Sequence, residues 1–217
     1  MDLSFFEFIG DGIGNDDIVN DVGNILQKKY NTKFVPTRIG NRYGQDENSK
    51  VTMYCHPEGE DTFIFSTKYN LETKECNDDF LYRRVCFELE KELSNLLSKR
   101  NVDAIIRVEM INKNSLDENI GLKEFLLKYP QITFMAYIVL NGKYGDVFVL
   151  DLYKELLNKY NLAGFSAFVF CAEQEEYVKA QTEIFDLEFF SKNMLKKYFK
   201  NEPAIYRAQD RMIVRVK

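Results

Sequence analysis

The strongest constraint in this chain is a change of period in its middle third. Between about residues 79 and 99, Tyr82, Val85, Cys86, Leu89, Leu93, Leu96 and Leu97 recur at three- and four-residue steps, with Glu and Lys on the other side. That spacing sets one apolar stripe along a helix, and Asp78 or Asp79 can cap its first turn. Directly afterwards Val102, Ala104, Ile106, Val108 and Met110 alternate with Asp103, Ile105, Arg107, Glu109 and Ile111. Period two describes a strand with two unlike faces. A long amphipathic helix that leads into such a strand calls for helices laid on a sheet.

The rest of the chain fits that scheme. Ile18, Val22, Ile25 and Leu26 predict a helix over residues 16–30, with Asp16 and Asp17 at its positive end. Strands are expected at 33–39, 51–56 and 62–67, separated by the turn formers Gly40-Asn41 and Pro57-Glu58-Gly59. A short helix over 122–128 stops before Pro130, and 132–140 is a strand followed by the turn pair Asn141-Gly142. Residues 153–160 are helical; 146–152 either open that helix, the preferred reading, or return as a hairpin strand. Another strand is expected at 163–171, then helices at 173–183 and 187–200, and strands at 205–207 and 212–216. This order lacks a regular strand–helix–strand alternation. It predicts an α+β fold: one curved, largely antiparallel sheet with helices packed on one side. Only four prolines, no repeat and no low-complexity run favour a single α+β domain over residues 1–217.

Charge and hydropathy narrow the partners. With 29 basic against 34 acidic residues the net charge is −5, a poor match to phosphate backbones, so no nucleic-acid partner is expected. The excess of acid lies in residues 1–150. The longest apolar run, 162–172, is shorter than the roughly 20 residues a bilayer span needs. No cationic and then apolar leader follows Met1. The expectation is a cytoplasmic protein, or one anchored to the membrane and facing outside if a leader was removed.

Motifs that carry chemistry are scarce. Gly10-Asp11-Gly12-Ile13-Gly14 suggests a phosphate cradle, but Asn15 stands where the dinucleotide fingerprint needs its third glycine, and Asp16 and Asp17 repel an anion. The string also resembles one in isopropylmalate-type dehydrogenases, which are two-domain enzymes longer than this chain. A glycine-rich loop is the better reading. Cys55, Cys76, Cys86 and Cys171 include no C-x-x-C pair, and Cys55, His56 and Cys76 offer at most three scattered ligands where structural zinc takes four. His56, the single histidine, has no triad string around it. No metal, nucleotide or other cofactor is therefore expected, and no catalytic residue is assigned.

Alternation of the strands gives a more useful pattern. Val51, Met53, Val108, Met110, Phe134 and Val214 are expected under the helices. The opposite face collects Thr52, Tyr54, His56, Arg107, Glu109, Tyr137, Ser166, Arg211 and Arg215. Tyr and Arg among carboxylates suit a protein-binding surface, although antiparallel sheets commonly leave a plain solvated face.

Several strings together resemble a known group. They are Lys28-Lys29-Tyr30 through Phe34, Ile39-Gly40-Asn41-Arg42-Tyr43-Gly44, Met53-Tyr54-Cys55-His56-Pro57 and Phe63-Ile64-Phe65. They continue with Asp78-Asp79-Phe80-Leu81, Leu126-Leu127-Lys128-Tyr129-Pro130, Phe168-Val169-Phe170 and Glu175-Glu176-Tyr177. In order, they resemble Firmicutes immunity proteins of LXG-type toxins of the type VII secretion system, of the TipC kind. The resemblance implies a crescent-shaped α+β protein whose concave sheet binds a cognate protein toxin and occludes its active site. Combined with the residue pattern, it makes Tyr54, His56, Arg107, Glu109, Tyr137 and Arg215 the expected partner-binding set. Glu58, Glu60 and Asp61 form an acidic loop to match a basic rim. The alternatives are a small-molecule-binding or hydrolytic enzyme using the glycine loop or His56, and an envelope-associated structural domain.

Overall fold

The structure, a computed structural model, describes residues 15–39, 49–111, 119–160, 162, 164–184, 199, 203–209 and 212–215. Five helices and nine strands are described, an α+β fold. The expected single sheet is corrected to two, one of four strands and one of five. By its contacts the chain divides into two compact units, Met1–Arg83 and Arg84–Lys217. The expected 187–200 helix, the Gly10–Gly14 loop and Arg211 lie outside the described residues.

The first unit carries α1 (Asn15–Tyr30), β1 (Phe34–Ile39), β2 (Lys50–Pro57), β3 (Phe65–Asn70) and β4 (Cys76–Asp78), and the start of α2 (Phe80–Ser98). Its strands pair antiparallel in chain order. Ile18, Val22 and Leu26 put the buried stripe of α1 at the expected spacing. β3 starts later than the sequence suggests. Gly59, at φ 87°, closes a turn in which the Glu60 N–H donates to the Pro57 carbonyl at 3.0 Å. The Phe63 N–H then donates to the Glu60 carbonyl at 2.9 Å, so this stretch is used up in turns. The rings of Tyr30, Phe34, Phe63, Phe65 and Phe80 meet at centroid distances from 4.5 to 6.1 Å.

One buried carboxylate fastens that cluster. The Asp78 side chain, 1% exposed, accepts from Lys29 Nζ at 2.9 Å. It also accepts from the Tyr30 hydroxyl at 2.6 Å and from the Phe80 N–H at 3.1 Å, where α2 begins. Burial, then the bond to Asp78, pushes the Tyr30 phenol up to about 12.

The second unit carries most of α2, then β5 (Ala104–Met110), α3 (Leu122–Lys128), β6 (Thr133–Asn141), α4 (Asp146–Tyr160), β7 (Gly164–Ala172), α5 (Gln174–Ile184), β8 (Ala204–Gln209) and β9 (Met212–Arg215). Residues 146–152 are helical, as preferred. The strands run β5-β6-β7-β8-β9, antiparallel except for β6 and β7, which pair in parallel around α4. The Asn141-Gly142 turn, with Gly142 at φ 120°, therefore opens a helical crossover and no hairpin.

Register defines the two faces of this sheet. Val108, Ala136, Ala167 and Tyr206 share one; Arg107, Tyr137, Phe168 and Ile205 share the other. α3 and α4 cover the first: the Phe125 ring lies 6.5 Å from Phe134, and the Tyr153 ring 5.1 Å from Phe165. On the second, Tyr177 and Ala180 of α5 join Ile105, Tyr137, Val139, Phe170, Ala172 and Phe199 in one buried cluster.

Apart from half-buried Tyr82, the expected helix stripe on α2 is buried, but so is Glu90, which the pattern placed on the solvent side. Its Oε1 accepts the Val108 N–H at 2.6 Å. Among the described strands β5 is at the edge, so this carboxyl group satisfies a backbone donor that no described strand meets. Removing it leaves that N–H buried and unpaired. Glu90→Ala is expected to destabilise the fold by about 1–3 kcal/mol in denaturant unfolding, and Glu90→Gln, which keeps an acceptor oxygen, by much less. Equal losses would show that the bond contributes little. Tyr153 is the converse case: it is fully buried, and among the described residues its hydroxyl has no hydrogen-bond partner. Tyr153→Phe removes a desolvated polar atom, and an unchanged or higher melting temperature is expected.

Candidate functional site

The structure separates the expected partner-binding residues. Tyr54 and His56 belong to β2 of the four-stranded sheet, and Arg107, Glu109, Tyr137 and Arg215 to the five-stranded one. The two sets stand in different compact units.

In the first unit the expected anchors are buried. Tyr54 packs in the core, and its carbonyl accepts from the Thr37 hydroxyl at 3.1 Å. His56 is 8% exposed, with Nδ1 2.8 Å from the Pro57 carbonyl and 3.6 Å from Asp61 Oδ1. Its ring braces the turn after β2. Glu58, Glu60 and Asp61 are exposed on that turn, and Glu58 accepts from Lys33 Nζ at 2.7 Å.

In the second unit Arg107, Glu109 and Tyr137 do share a face. Arg107 pairs with Tyr137 across β5 and β6, and Glu109 with Met135. Tyr137 is only 7% exposed, because its ring stacks on Phe168 at 5.3 Å and 11° and joins the cluster under α5. Burial, then the nearby Glu109 carboxylate, holds its phenol above the ordinary range. Beyond that stack the same face carries Ser166 and Arg207, opposite each other in β7 and β8. Glu109 and Arg207 are exposed; Arg107, Met135, Ser166, Phe168 and Ile205 are half-buried. A sheltered aromatic plate is thus bordered by charges of both signs.

Arg215 does not belong to this strip. It pairs with Tyr206, one residue past Ile205, and so falls on the face that α4 covers. There its guanidinium donates to Asp146 Oδ2 at 2.5 Å, and the Tyr206 hydroxyl donates to Oδ1 at 2.7 Å. These two bonds, the one from Tyr206 first, hold the Asp146 carboxyl below its usual range.

Sequence reasoning missed Phe168, whose place under Tyr137 follows from the parallel register of β6 and β7. Nothing in the local alternation announced that pairing. None of Cys55, Cys76, Cys86 and Cys171 is joined in a disulfide. Burial, with help from Cys76, pushes Cys55 up to about 12, and burial, then Asp78, pushes Cys76 up to about 11. Among the described residues no group of three or more His, Cys, Asp or Glu side chains is placed to hold a metal ion. None of the described helices is long and apolar enough to cross a membrane.

No family model and no curated protein matches the sequence. The fold is similar to that of a DUF5037 family protein from Ruminococcus gnavus, with a TM-score of 0.69 and 13% identity over 88% of this chain and 91% of that one. At that identity the likeness establishes the fold alone.

The electrostatics of the strip can be measured directly. A phenol whose value is higher folded than unfolded contributes stability below about pH 10, and that contribution is lost as pH rises further. The Tyr137 ring resonance is expected to titrate above an ordinary tyrosine, and Glu109→Gln to move it back part of the way. Titration at the ordinary value in the folded protein would contradict the geometry.

Proposed function

We propose that this protein binds a partner protein and neutralises it by covering it, as an immunity protein for a secreted bacterial toxin. The observation that carries the reading is the strip on the five-stranded sheet. There Arg107 and Tyr137 are paired in register, Tyr137 is stacked on Phe168, and exposed Glu109 and Arg207 flank them. Regular strands fix these groups before any partner arrives, so little side-chain entropy is left to lose on binding. Aromatic and guanidinium groups are the side chains that most often dominate interface energetics. Mixed charges around them select a partner and raise the association rate. The net charge of −5 suits a basic target. The resemblance of the sequence strings to LXG-toxin immunity proteins supports the choice of a toxin as the partner. Occlusion needs no catalytic group on this chain.

The test is co-expression with the protein encoded beside it, scoring growth rescue and co-purification. Because Tyr137 is a core residue, truncating it confuses folding with binding, and the informative changes are Arg107→Glu and Glu109→Arg. Each is expected to weaken binding at least tenfold with an unchanged melting temperature. Lys154→Glu, on an exposed position of α4, is expected to change it little. Full binding by both strip variants would sink the assignment, as would a neighbouring protein that is harmless and does not co-purify.

A further inference from the structure

A cleft of about 400 Å³ opens in the second unit where the end of α2 meets α5. Its walls are rich in neutral hydrogen-bonding groups: Ser94 and Ser98 from α2, Asn141 from the end of β6, and Gln174 and Gln181 from α5. Leu97, Val102, Ala104 and Val178 supply an apolar floor and side. Val178 is 47% exposed there, unusual for a large aliphatic residue on an otherwise polar helix face. Asp103 is the single charged residue among the described lining residues. It is exposed, and among the described residues its side chain makes no ion pair. Its field is felt nonetheless: after burial, Asp103 is the second cause that holds the Tyr177 phenol above its ordinary range.

We propose that this cleft is a subsite for the arginine side chain of a protein partner. A carboxylate without a counter-ion, inside a recess with no Lys or Arg among its described lining, asks for a cation. The side chains of Ser94, Ser98, Asn141, Gln174 and Gln181 line the same recess and carry oxygens able to accept hydrogen bonds. A guanidinium offers five donors in a planar fork and is less strongly hydrated than an ammonium, so it suits these acceptors better than lysine does. The aliphatic stem of arginine lies against Leu97, Val102 and Val178 while its head reaches Asp103. Small recesses of roughly 300–1,000 Å³ are the size that holds a compact ligand group. The proposal rests on the partner-binding reading for its occupant and adds to it the chemistry of a contact away from the sheet strip.

The probe needs no partner. The full chain, labelled with nitrogen-15, is titrated with N-acetyl-argininamide, with the uncharged isostere N-acetyl-citrullinamide and with N-acetyl-lysinamide. Saturable shifts of the Asp103, Asn141, Gln174 and Gln181 amides are expected with the arginine compound. Binding should weaken at least fivefold in Asp103→Asn, and at least fivefold for the citrulline and lysine compounds. Ser98→Arg, which places a guanidinium at the cleft from the chain itself, should abolish the shifts in a folded protein. No saturable shift with the arginine compound overturns the subsite. So does equal binding of the citrulline compound, or undiminished binding by Asp103→Asn or Ser98→Arg. Equal binding of the lysine compound overturns the guanidinium assignment. Failure here leaves the strip variants free to lose or keep toxin binding, so the two readings can fall separately.

Discussion

A buried carboxyl group that answers a backbone N–H is the interaction on which the five-stranded sheet depends. Among the described strands β5 lies at the sheet's edge, and no described strand meets the donors on its outer side. Glu90 reaches the Val108 N–H at 2.6 Å and closes that position from within α2. Buried donors are rarely left open, because an orphaned N–H forfeits the bond it made to water. An acidic side chain turned toward an edge also discourages a foreign strand from adding there. The same bond fixes α2 against β5, so the partner of Tyr137 across the ladder, Arg107, is held in a strand that cannot slide without breaking it. Asp78 plays the corresponding part in the first unit, where it accepts from Lys29, Tyr30 and the first N–H of α2. In each unit a helix is positioned by a carboxylate as well as by an apolar stripe.

This explains what could and could not be read from the sequence. The α2 stripe and the β5 alternation were legible because each element buries one face and exposes the other. Glu90 was not, since a period-3.6 reading assigns an acidic residue to solvent and has no means to see a donor on a strand that follows. β6 and β7 were legible as strands but not as neighbours. Phe134 to Leu140 are buried on both faces apart from Met135, the pattern of a central strand with covers on both sides, and in such a run alternation carries no facing information. The division into two sheets was equally hidden, because antiparallel strands in either sheet present the same period.

The candidate surface shows the same limit from the other direction. Tyr54, His56 and Tyr137 were singled out as amphipathic side chains on an open face, and all three are buried. Tyrosine and histidine have polar tips that let them serve in a core as readily as at an interface, so their type alone does not decide. Arg107 and Glu109 were placed more faithfully: an unsheltered charge on a half-buried strand has one stable side to face. Arg215 shows why that rule still needs the register. Its strand pairs with β8 so that it meets Tyr206 and Asp146 on the helix-covered side, at the edge of the layer where a guanidinium can still touch water.

Among the described elements the two faces of the five-stranded sheet are covered unequally. Of those elements, α3 and α4 lie over the face that holds Val108 and Ala136, and α5 covers the other around Ile105, Tyr137, Val139, Phe170 and Ala172. The strip from Arg107 and Glu109 to Ser166 and Arg207 stands at the margin of that cover. The Tyr137–Phe168 stack belongs to both regions, with one edge in the α5 cluster and the other beside the charges. A rigid core element continued into a polar border gives side chains fixed positions without fully burying them. Preorganisation of this kind favours tight binding because less freedom is lost when the surface is covered. A partner seated on the strip would then meet groups already held by the ladder, with α5 as a wall on one side. The Asp103 cleft opens on that same helix, at Gln174, Val178 and Gln181. α5 therefore carries both the cover that shapes the strip and one side of the recess, and a single helix can set the spacing between two contacts on one partner.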